Sequence, residues 1–268
     1  MPLKVGDLCS IIEDFAPISL KEDYDNVGLM IGDKGAAVHS ILVTLDCTMK
    51  VIDEAVENNC NMIVAHHPIL FRKPSSITNE TLLGRKIIKI IKNNINVYAA
   101  HTNLDSVKGG VNDTIVNLLG FSETEFLSKN NNAVKEAGIG RIIELTEPVT
   151  LEKLCDIVKD KLKVQNLRYA GNSDKKIKNI AVINGSGQDF FEKARKAGVD
   201  CIITGDTSYH YVSDYAEMNI GIIDAGHFGT EWPAVAVMSQ KLKEVLNTQG
   251  INVPVLVSKN NIDPYRFR

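Results

Sequence analysis

Short apolar runs alternate with amphipathic stretches along the first half of the chain. The runs are rich in β-branched residues, as buried strands are, whereas the stretches space their apolar side chains three or four residues apart, as helices do. Thr48 stands where one of these helices needs an N-cap. In chain order, the pattern predicts helix 5–15, strand 41–45, helix 49–58, strand 62–65, helix 81–93, strand 96–100 and helix 111–120. Strand, helix and strand joined by short connections form βαβ units, so we expect a parallel sheet.

The second half repeats this order of elements. A strand over 180–183, a helix over 190–198 and a strand over 201–204 follow one another as the elements of 41–65 do. They are preceded by a strand over 138–145 and a helix from Thr150. The remaining predicted elements are a long helix from Glu231 to about Leu246, which begins after Thr230 as its cap and has Pro233 in its first turn, and a last strand over 254–258.

An aperiodic stretch at 128–138, with a run of asparagines, is the best position for a boundary between the halves. We therefore predict an α/β protein of two similar α/β domains with mixed, mostly parallel sheets. The first domain is expected over 1–127 and the second over 128–268. Packing of the C-terminal helix and strand back on the first domain is left open.

The composition does not change the predicted fold, but it limits which partners and which cell compartment the protein is expected to have. With 44% hydrophobic and 24% charged residues among 268, the chain is an ordinary globular protein. A net charge of −3 and a pI near 6.1 do not indicate a nucleic-acid partner. The five cysteines include no CxxC pair, and no apolar run approaches the ~18 residues that span a bilayer. We expect a soluble cytoplasmic protein without a membrane partner.

Histidines and carboxylates gather where predicted strands end. The candidate ligands are His66, His67, Asp105, His227 and Glu231. In open α/β sheets functional groups collect beyond the carboxyl ends of the strands, so these side chains are expected to meet. Imidazoles and carboxylates without a thiolate suit Zn, Mn or Fe. The pattern predicts two divalent metal ions per chain, bridged by Asp105.

Each of these motifs has a plainer interpretation when taken alone. Adjacent histidines before Pro68 can simply close a loop, and a lone HxxxE is more often a solvated helix face. Asp105 can cap a turn. Their occurrence together at strand ends favours metal binding.

The roles of the other histidines are open. His101 is predicted to orient Asp105 or to carry protons, and a buried structural histidine fits as well. His210, in TGDTSYH, is predicted to be a general acid or base. A purely structural hydrogen bond from the strand end fits its position equally well. His39 is expected to be merely exposed.

Two further features are candidate phosphate contacts. The loop 184–189 (NGSGQD) precedes a helix and can present backbone N–H groups, but a plain strand-to-helix turn explains it better. Arg72 and Lys73 follow the histidine pair, and a solvated charge pair is favoured for them.

The chain resembles the Ngg-interacting-factor-three family of dinuclear metal proteins, also named type 2 GTP cyclohydrolase I. Eight ordered motifs carry the resemblance: 23–33 (DYDNVGLMIGD), 42–48 (LVTLDCT), 63–71 (IVAHHPILF), 100–106 (AHTNLDS), 138–145 (GIGRIIEL), 184–188 (NGSGQ), 204–210 (TGDTSYH) and 224–231 (DAGHFGTE). It implies two similar α/β domains, two divalent ions in the cleft between them and a ring-shaped homohexamer. The family's ligand pattern falls on the five candidate ligands above. Tyr24 stands where the family usually has Trp, and the inserted middle domain of longer relatives is missing.

These observations favour a dinuclear metal-dependent hydrolase. The resemblance implies GTP ring opening with release of formate, so the expected partner is a small-molecule substrate, GTP or another nucleotide. Metal ions would lower the pKa of a bound water toward ~7, and His101 or His210 would handle protons. One alternative is a metal-dependent phosphoesterase acting on nucleotides or small phosphate esters. A non-enzymatic metal-binding scaffold is the other.

Overall fold

The computed structural model describes residues 2–122, 124–130 and 136–268. Its helices are α1 (Val5–Phe15), α2 (Met49–Glu57), α3 (Leu82–Lys92), α4 (Thr102–Ser106), α5 (Val111–Leu118), α6 (Leu151–Leu162), α7 (Phe191–Lys196), α8 (Tyr209–Glu217) and α9 (His227–Thr248). Its strands are β1 (Gly28–Ile31), β2 (Ile41–Thr44), β3 (Met62–Ala65), β4 (Asn96–Ala99), β5 (Glu125–Lys129), β6 (Gly138–Thr150), β7 (Arg168–Ala170), β8 (Lys176–Ser186), β9 (Cys201–Gly205), β10 (Gly221–Asp224) and β11 (Val255–Val257).

The chain folds as two compact units. Unit 1 consists of Met1–Val107 and Ala234–Ile262, and unit 2 consists of Lys108–Pro233 and Asp263–Arg268. Each unit has one sheet with helices packed on it, so the prediction of two α/β domains with mixed sheets is confirmed.

The sheet of unit 1 has the order β1-β4-β3-β2-β11. Its strands are parallel except at the β1–β4 edge, which is antiparallel. Every residue of β2, β3 and β4 is buried, as expected of parallel strands covered by helices on both faces. The predicted cap of α2 is confirmed, because Val51 N donates to Thr48 Oγ1 at 3.2 Å.

The C-terminal segment completes unit 1. β11 pairs parallel with β2 at the edge of the sheet. Just beyond it, Ser258 Oγ and Lys259 N donate to the Glu54 carboxylate on α2 at 2.6 and 2.8 Å, and Asn260 Nδ2 donates at 2.9 Å. Glu54 is buried, and burial alone would raise its pKa, but these hydrogen bonds outweigh it and hold the pKa below its ordinary value.

The sheet of unit 2 has the order β5-β6-β8-β9-β10-β7. Its centre, β8-β9-β10, is parallel, and the flanking pairs are antiparallel. The succession β8-α7-β9-α8-β10 therefore repeats β2-α2-β3-α3-β4, and the part β8-α7-β9 is the repeat that the sequence predicts. On β6, the buried Arg141 forms a two-point ion pair with Asp113 at 2.6 and 2.7 Å.

Two predicted boundaries differ from the structure. β5 and β6 pair antiparallel, with Lys129 opposite Gly138, so the stretch 128–138 links two strands of one sheet, although its residues 131–135 lie outside the described ones. The division between the units follows Val107 instead of residue 127, and 234–262 returns to unit 1.

The start of the last helix also differs. α9 begins at His227 and not after Thr230, because Gly226 turns the chain with a φ of +78°. Thr230 lies within the helix and donates its hydroxyl to the carbonyls of Gly226 and His227 instead of capping it. Among the described residues, no helix is long and apolar enough to cross a bilayer.

Candidate metal centre

Three imidazoles lie together at the carboxyl ends of neighbouring strands in unit 1. His66 and His67 directly follow β3, and their backbone N–H groups donate to the carbonyls of Thr44, the last residue of β2, and of Leu45. His101 follows β4. Each of the three histidines has a ring nitrogen within 4.8 Å of a ring nitrogen of the other two. His66 and His67, two of the predicted ligands, thus lie near each other, and His101 joins them.

Each of these imidazoles places Nδ1 on an oxygen acceptor. His66 Nδ1 lies 2.8 Å from the carbonyl oxygen of Ala100. His67 Nδ1 lies 2.9 Å from a carboxylate oxygen of Asp46, and His101 Nδ1 lies 2.8 Å from one of Asp25. A carbonyl oxygen can only accept, so Nδ1 of His66 carries the proton and Nε2 of the neutral ring keeps its lone pair. Hydrogen bonds of this kind orient metal-binding histidines.

Asp25 is built to stay ionised beside His101. Burial of its carboxyl raises the pKa, but the hydrogen bond and charge of His101, with two hydrogen bonds from Thr102, outweigh burial and lower the pKa to about 2. At neutral pH the carboxylate therefore accepts from His101 Nδ1, which leaves Nε2 of that ring as the ligand atom.

Asp105 adds a carboxylate to unit 1. It lies on the short helix α4, where its backbone N–H donates to the carbonyl of His101 at 3.2 Å. The side chain is buried, and Oδ1 lies 3.7 Å from His66 Nε2. The structure thus brings Asp105 beside a predicted ligand.

In unit 2, His227 and Glu231 occupy successive turns of α9. Their i, i+4 spacing puts both on one helix face, and His227 Nε2 lies 2.6 Å from Glu231 Oε2. His227 Nδ1 lies 2.7 Å from Asp206 Oδ2, which repeats the arrangement seen in unit 1. Asp206 follows β9 with a φ of +49°, a conformation that L-residues seldom adopt and that is common at functional sites.

The last residues of β8 hold the Glu231 carboxylate in place. Gly185 has a φ of +56°, and a Cβ there would lie 2.0 Å from Glu231 Oε1. Gly185 N donates to Thr230 Oγ1 at 3.0 Å, and Asn184 Nδ2 approaches Glu231 Oε1 at 3.4 Å. The first residues of the stretch 184–189, predicted as a phosphate contact or a plain turn, therefore belong to the end of β8 and pack against a candidate ligand.

Other predicted residues lie elsewhere. His210 is exposed in the first turn of α8, and the groups of described side chains close enough to share an ion do not include it. His39 is exposed, as predicted, and so are Arg72 and Lys73.

The sequence patterns did not predict the carboxylates that contact Nδ1 of the imidazoles. These are Asp25, Asp46 and Asp206. The sequence carries a signal for two of them. Asp46 follows β2, which pairs with β3, the strand before His66 and His67. Asp206 follows β9, which pairs with β10, the strand before His227.

Comparisons with known proteins agree with this fold. A family model described as Duf34/NIF3 (NGG1p interacting factor 3) matches residues 3–264. A GTP cyclohydrolase 1 type 2 homolog of Clostridium acetobutylicum is 72% identical over 100% of both chains, and one of Clostridium perfringens is 54% identical over 99% of this chain and 100% of its own. The crystal structure of a Bacillus cereus protein related to NIF3 is similar with a TM-score of 0.93 and 25% identity, over 100% of both chains. The chain belongs to the Duf34/NIF3 family.

Proposed function

We propose that this protein is a divalent-metal-dependent hydrolase that opens the purine ring of GTP with release of formate. One observation supports metal binding above all: four histidines direct Nδ1 at an oxygen acceptor and so turn Nε2 toward a ligand role. The proposed ligands are His66, His67, His101, Asp105, His227 and Glu231.

The donor set fits two divalent ions better than one. A catalytic zinc ion takes about three protein ligands and keeps a position open, whereas unit 1 carries four proposed donors and unit 2 carries two. The donors are imidazole nitrogens and carboxylate oxygens, which suit Zn, Mn or Fe. The cysteines are buried free thiols, and burial raises the pKa of Cys47 to about 12, so none is prepared to act as a thiolate ligand.

The residues of this chain would orient the ligands and set which ring nitrogen of each histidine faces the site. When bound, the ions would lower the pKa of a coordinated water and polarise the substrate. Asp25, Asp46 and Asp206 lie at hydrogen-bond distance from Nδ1 of the imidazoles. They favour the tautomer with its proton on Nδ1, in which Nε2 of the neutral ring is the ligand atom. The buried carboxylates of Asp105 and Glu231 would balance the charge of the cations.

His101 takes a different role from the one predicted. A proton carrier needs a ring nitrogen that can exchange its proton, but Nδ1 of His101 is held by ionised Asp25 and Nε2 faces two other candidate ligands. We therefore place His101 among the ligands. His210 is left without a part in the proposed reaction.

GTP as substrate is supported by the relatives, which carry the name GTP cyclohydrolase 1 type 2 homolog. The test is to load metal-free protein with Zn, Mn or Fe, incubate it with GTP and measure formate and inorganic phosphate together. Formate released in step with GTP loss is the expected result. Phosphate in place of formate would replace the proposal by a phosphoesterase, and neither product from protein with two bound ions would favour a metal-binding scaffold.

The ligand assignment has its own test. Asp105→Ala should bind well below two ions per chain by elemental analysis, whereas His39→Ala removes an exposed histidine outside the site and should bind as the wild type does. Two ions retained in Asp105→Ala would contradict the assignment.

We also propose that the chain assembles as a ring-shaped homohexamer in the cytoplasm, which the family resemblance supports. Analytical ultracentrifugation should give a mass about six times the 29.5 kDa of one chain. A mass of one or two chains would contradict the ring.

A further inference from the structure

A cavity of about 330 Å³ opens in unit 2, apart from the ligand side chains themselves. It lies between helix α8 and the strands β7 and β10. Val212 and Ala216 of α8 and Ile222 of β10 form its apolar wall. Small-molecule pockets of proteins span about 300–1,000 Å³ and combine an apolar lining with a few polar groups, so this cavity has room for one ring system.

Two tyrosines stand at the cavity with their rings largely in solvent. Tyr209, the first residue of α8, is 81% exposed, and Tyr169 on the edge strand β7 is 50% exposed. Neither ring is needed to fill the core of unit 2. Tyrosine rings displayed at a pocket are suited to stack on a flat aromatic ligand while their hydroxyl groups stay hydrated.

The polar side of the cavity carries a fixed pair of charges. Asp224, at the end of β10, is buried and pairs with the guanidinium of Arg168. Its carboxylate also accepts from Thr207 Oγ1 at 2.6 Å and from Gly226 N at 2.9 Å. Asp224 is thus held still by protein donors. Arg168 has further N–H donors on a mostly exposed side chain, and these suit an acceptor on the edge of a ring or an anionic group.

The same two loops that line the cavity also hold His227. Thr207, which lines it, directly follows Asp206, the partner of His227 Nδ1. Asp224, which also lines it, precedes His227 by one short turn through Gly226. A ligand seated in the cavity would therefore lie next to the segments that carry a proposed metal ligand.

We propose that this cavity binds the heteroaromatic base of a nucleotide, an inference that rests on the proposed function for the identity of the nucleotide. Tyr209 and Tyr169 stack on the ring, the apolar wall of α8 and β10 covers its inner face, and Arg168 meets a polar substituent. Tyr209 is a specificity-determining residue in this assignment, since it contacts the base and no candidate metal ligand.

The test compares GTP with inorganic tripolyphosphate, which lacks the base, by calorimetry on the full-length manganese-loaded protein. Stacking of one base on an aromatic side chain strengthens binding by about tenfold, so the wild type should bind GTP about tenfold more tightly than tripolyphosphate. Tyr209→Ala should remove most of this preference without changing tripolyphosphate affinity or metal content. Because Tyr209 is so exposed, the variant should fold as the wild type does.

A second pair of variants separates the cavity from the rest of α8. Ala216→Phe fills the cavity and should abolish the preference for GTP. Met218→Phe adds the same ring to a 55% exposed residue just after α8 that does not line the cavity, and it should bind both probes as the wild type does. An unchanged preference for GTP in Tyr209→Ala and Ala216→Phe, or no such preference in the wild type, would overturn the assignment.

Guanosine titrated into metal-free protein distinguishes this inference from the proposed function. It should bind, and Tyr209→Ala should weaken its binding severalfold. A chain that binds guanosine in this way but takes up no metal refutes the proposed function alone. A chain that takes up two ions but does not favour the base refutes the cavity assignment alone.

Discussion

Gly185→Ala tests whether the missing side chain at Gly185, near the end of β8, is what lets the Glu231 carboxylate come close. An alanine Cβ would lie 2.0 Å from Glu231 Oε1, whereas ordinary van der Waals contact begins at 3.4 Å, so the carboxylate must retreat by about 1.4 Å. Metal sites tolerate deviations of only about 0.2 Å from ideal bond lengths. The retreat is therefore far too large for Glu231 to keep a bond to an ion.

The effect on folding should be small by comparison. Oε1 is the far end of a flexible side chain, so moving it costs little free energy of unfolding. The φ of +56° is the larger penalty, because a left-handed conformation costs an L-residue about 1–2 kcal/mol. Gly198→Ala is the matched control, since Gly198 has a φ of +76° and open space where its Cβ would stand.

Urea unfolding and elemental analysis on both variants separate these two effects. Both should lose about 1 kcal/mol of unfolding free energy, but only Gly185→Ala should lose metal affinity, by about 10–100-fold or more. Equal metal affinity in Gly185→Ala and Gly198→Ala would show that Glu231 does not bind an ion from this position.

Three further predictions follow from contacts elsewhere in the chain. Asp46→Ala removes the acceptor of His67 Nδ1 and should weaken metal binding about 10–100-fold, as measured by competition with a chelator. Glu54→Gln should lower the free energy of unfolding at pH 7 by about 1.5–3 kcal/mol, because charge-assisted hydrogen bonds to the C-terminal segment are weakened. The pKa of Glu54 is lower in the folded chain than its ordinary 4.5, so this difference is present above that pH and shrinks as the pH falls below it. Arg141→Met leaves Asp113 without its buried partner and should cost about 3–5 kcal/mol in urea unfolding.

Matched variants control for these changes. Asp53→Ala removes another carboxylate of unit 1, one paired with Lys89, and should leave metal binding unchanged. Arg195→Met breaks an exposed ion pair on α7 and should lower the free energy of unfolding far less than Arg141→Met does. If the loss of unfolding free energy in Glu54→Gln did not change with pH, the linkage argument would be refuted. If Arg141→Met were as stable to urea as Arg195→Met, the buried ion pair would contribute nothing to stability.

The repeated βαβ order could be predicted because its signals are local. Runs such as 41–45 and 62–65 consist of apolar and β-branched residues, which is the pattern of strands covered on both faces. The unit boundary could not be predicted in this way. It depends on the pairing of β5 with β6 and of β11 with β2, and nothing in the sequence near 128–138 records which strand a residue will meet.

The candidate site likewise has a part that could be predicted from the sequence and a part that could not. His66, His67 and Asp105 follow buried strands, so their meeting follows from the rule that parallel strands end at one edge of a sheet. Asp25 lies in a loop before β1 and reaches His101 only because β1 pairs with β4. Its role depends on tertiary contact between distant residues, which the spacing of His101 and Asp105 alone does not reveal.

The division of the chain into units has a consequence for biosynthesis. The ribosome releases 108–233 before the last part of unit 1, so unit 2 has almost all of its residues while unit 1 still lacks β11 and the segment that binds Glu54. During that interval β2 is a bare sheet edge of four apolar or β-branched residues, which is the kind of edge that pairs with other chains. Translation that stops after Pro233 therefore yields a chain with a nearly complete second half and an aggregation-prone first half.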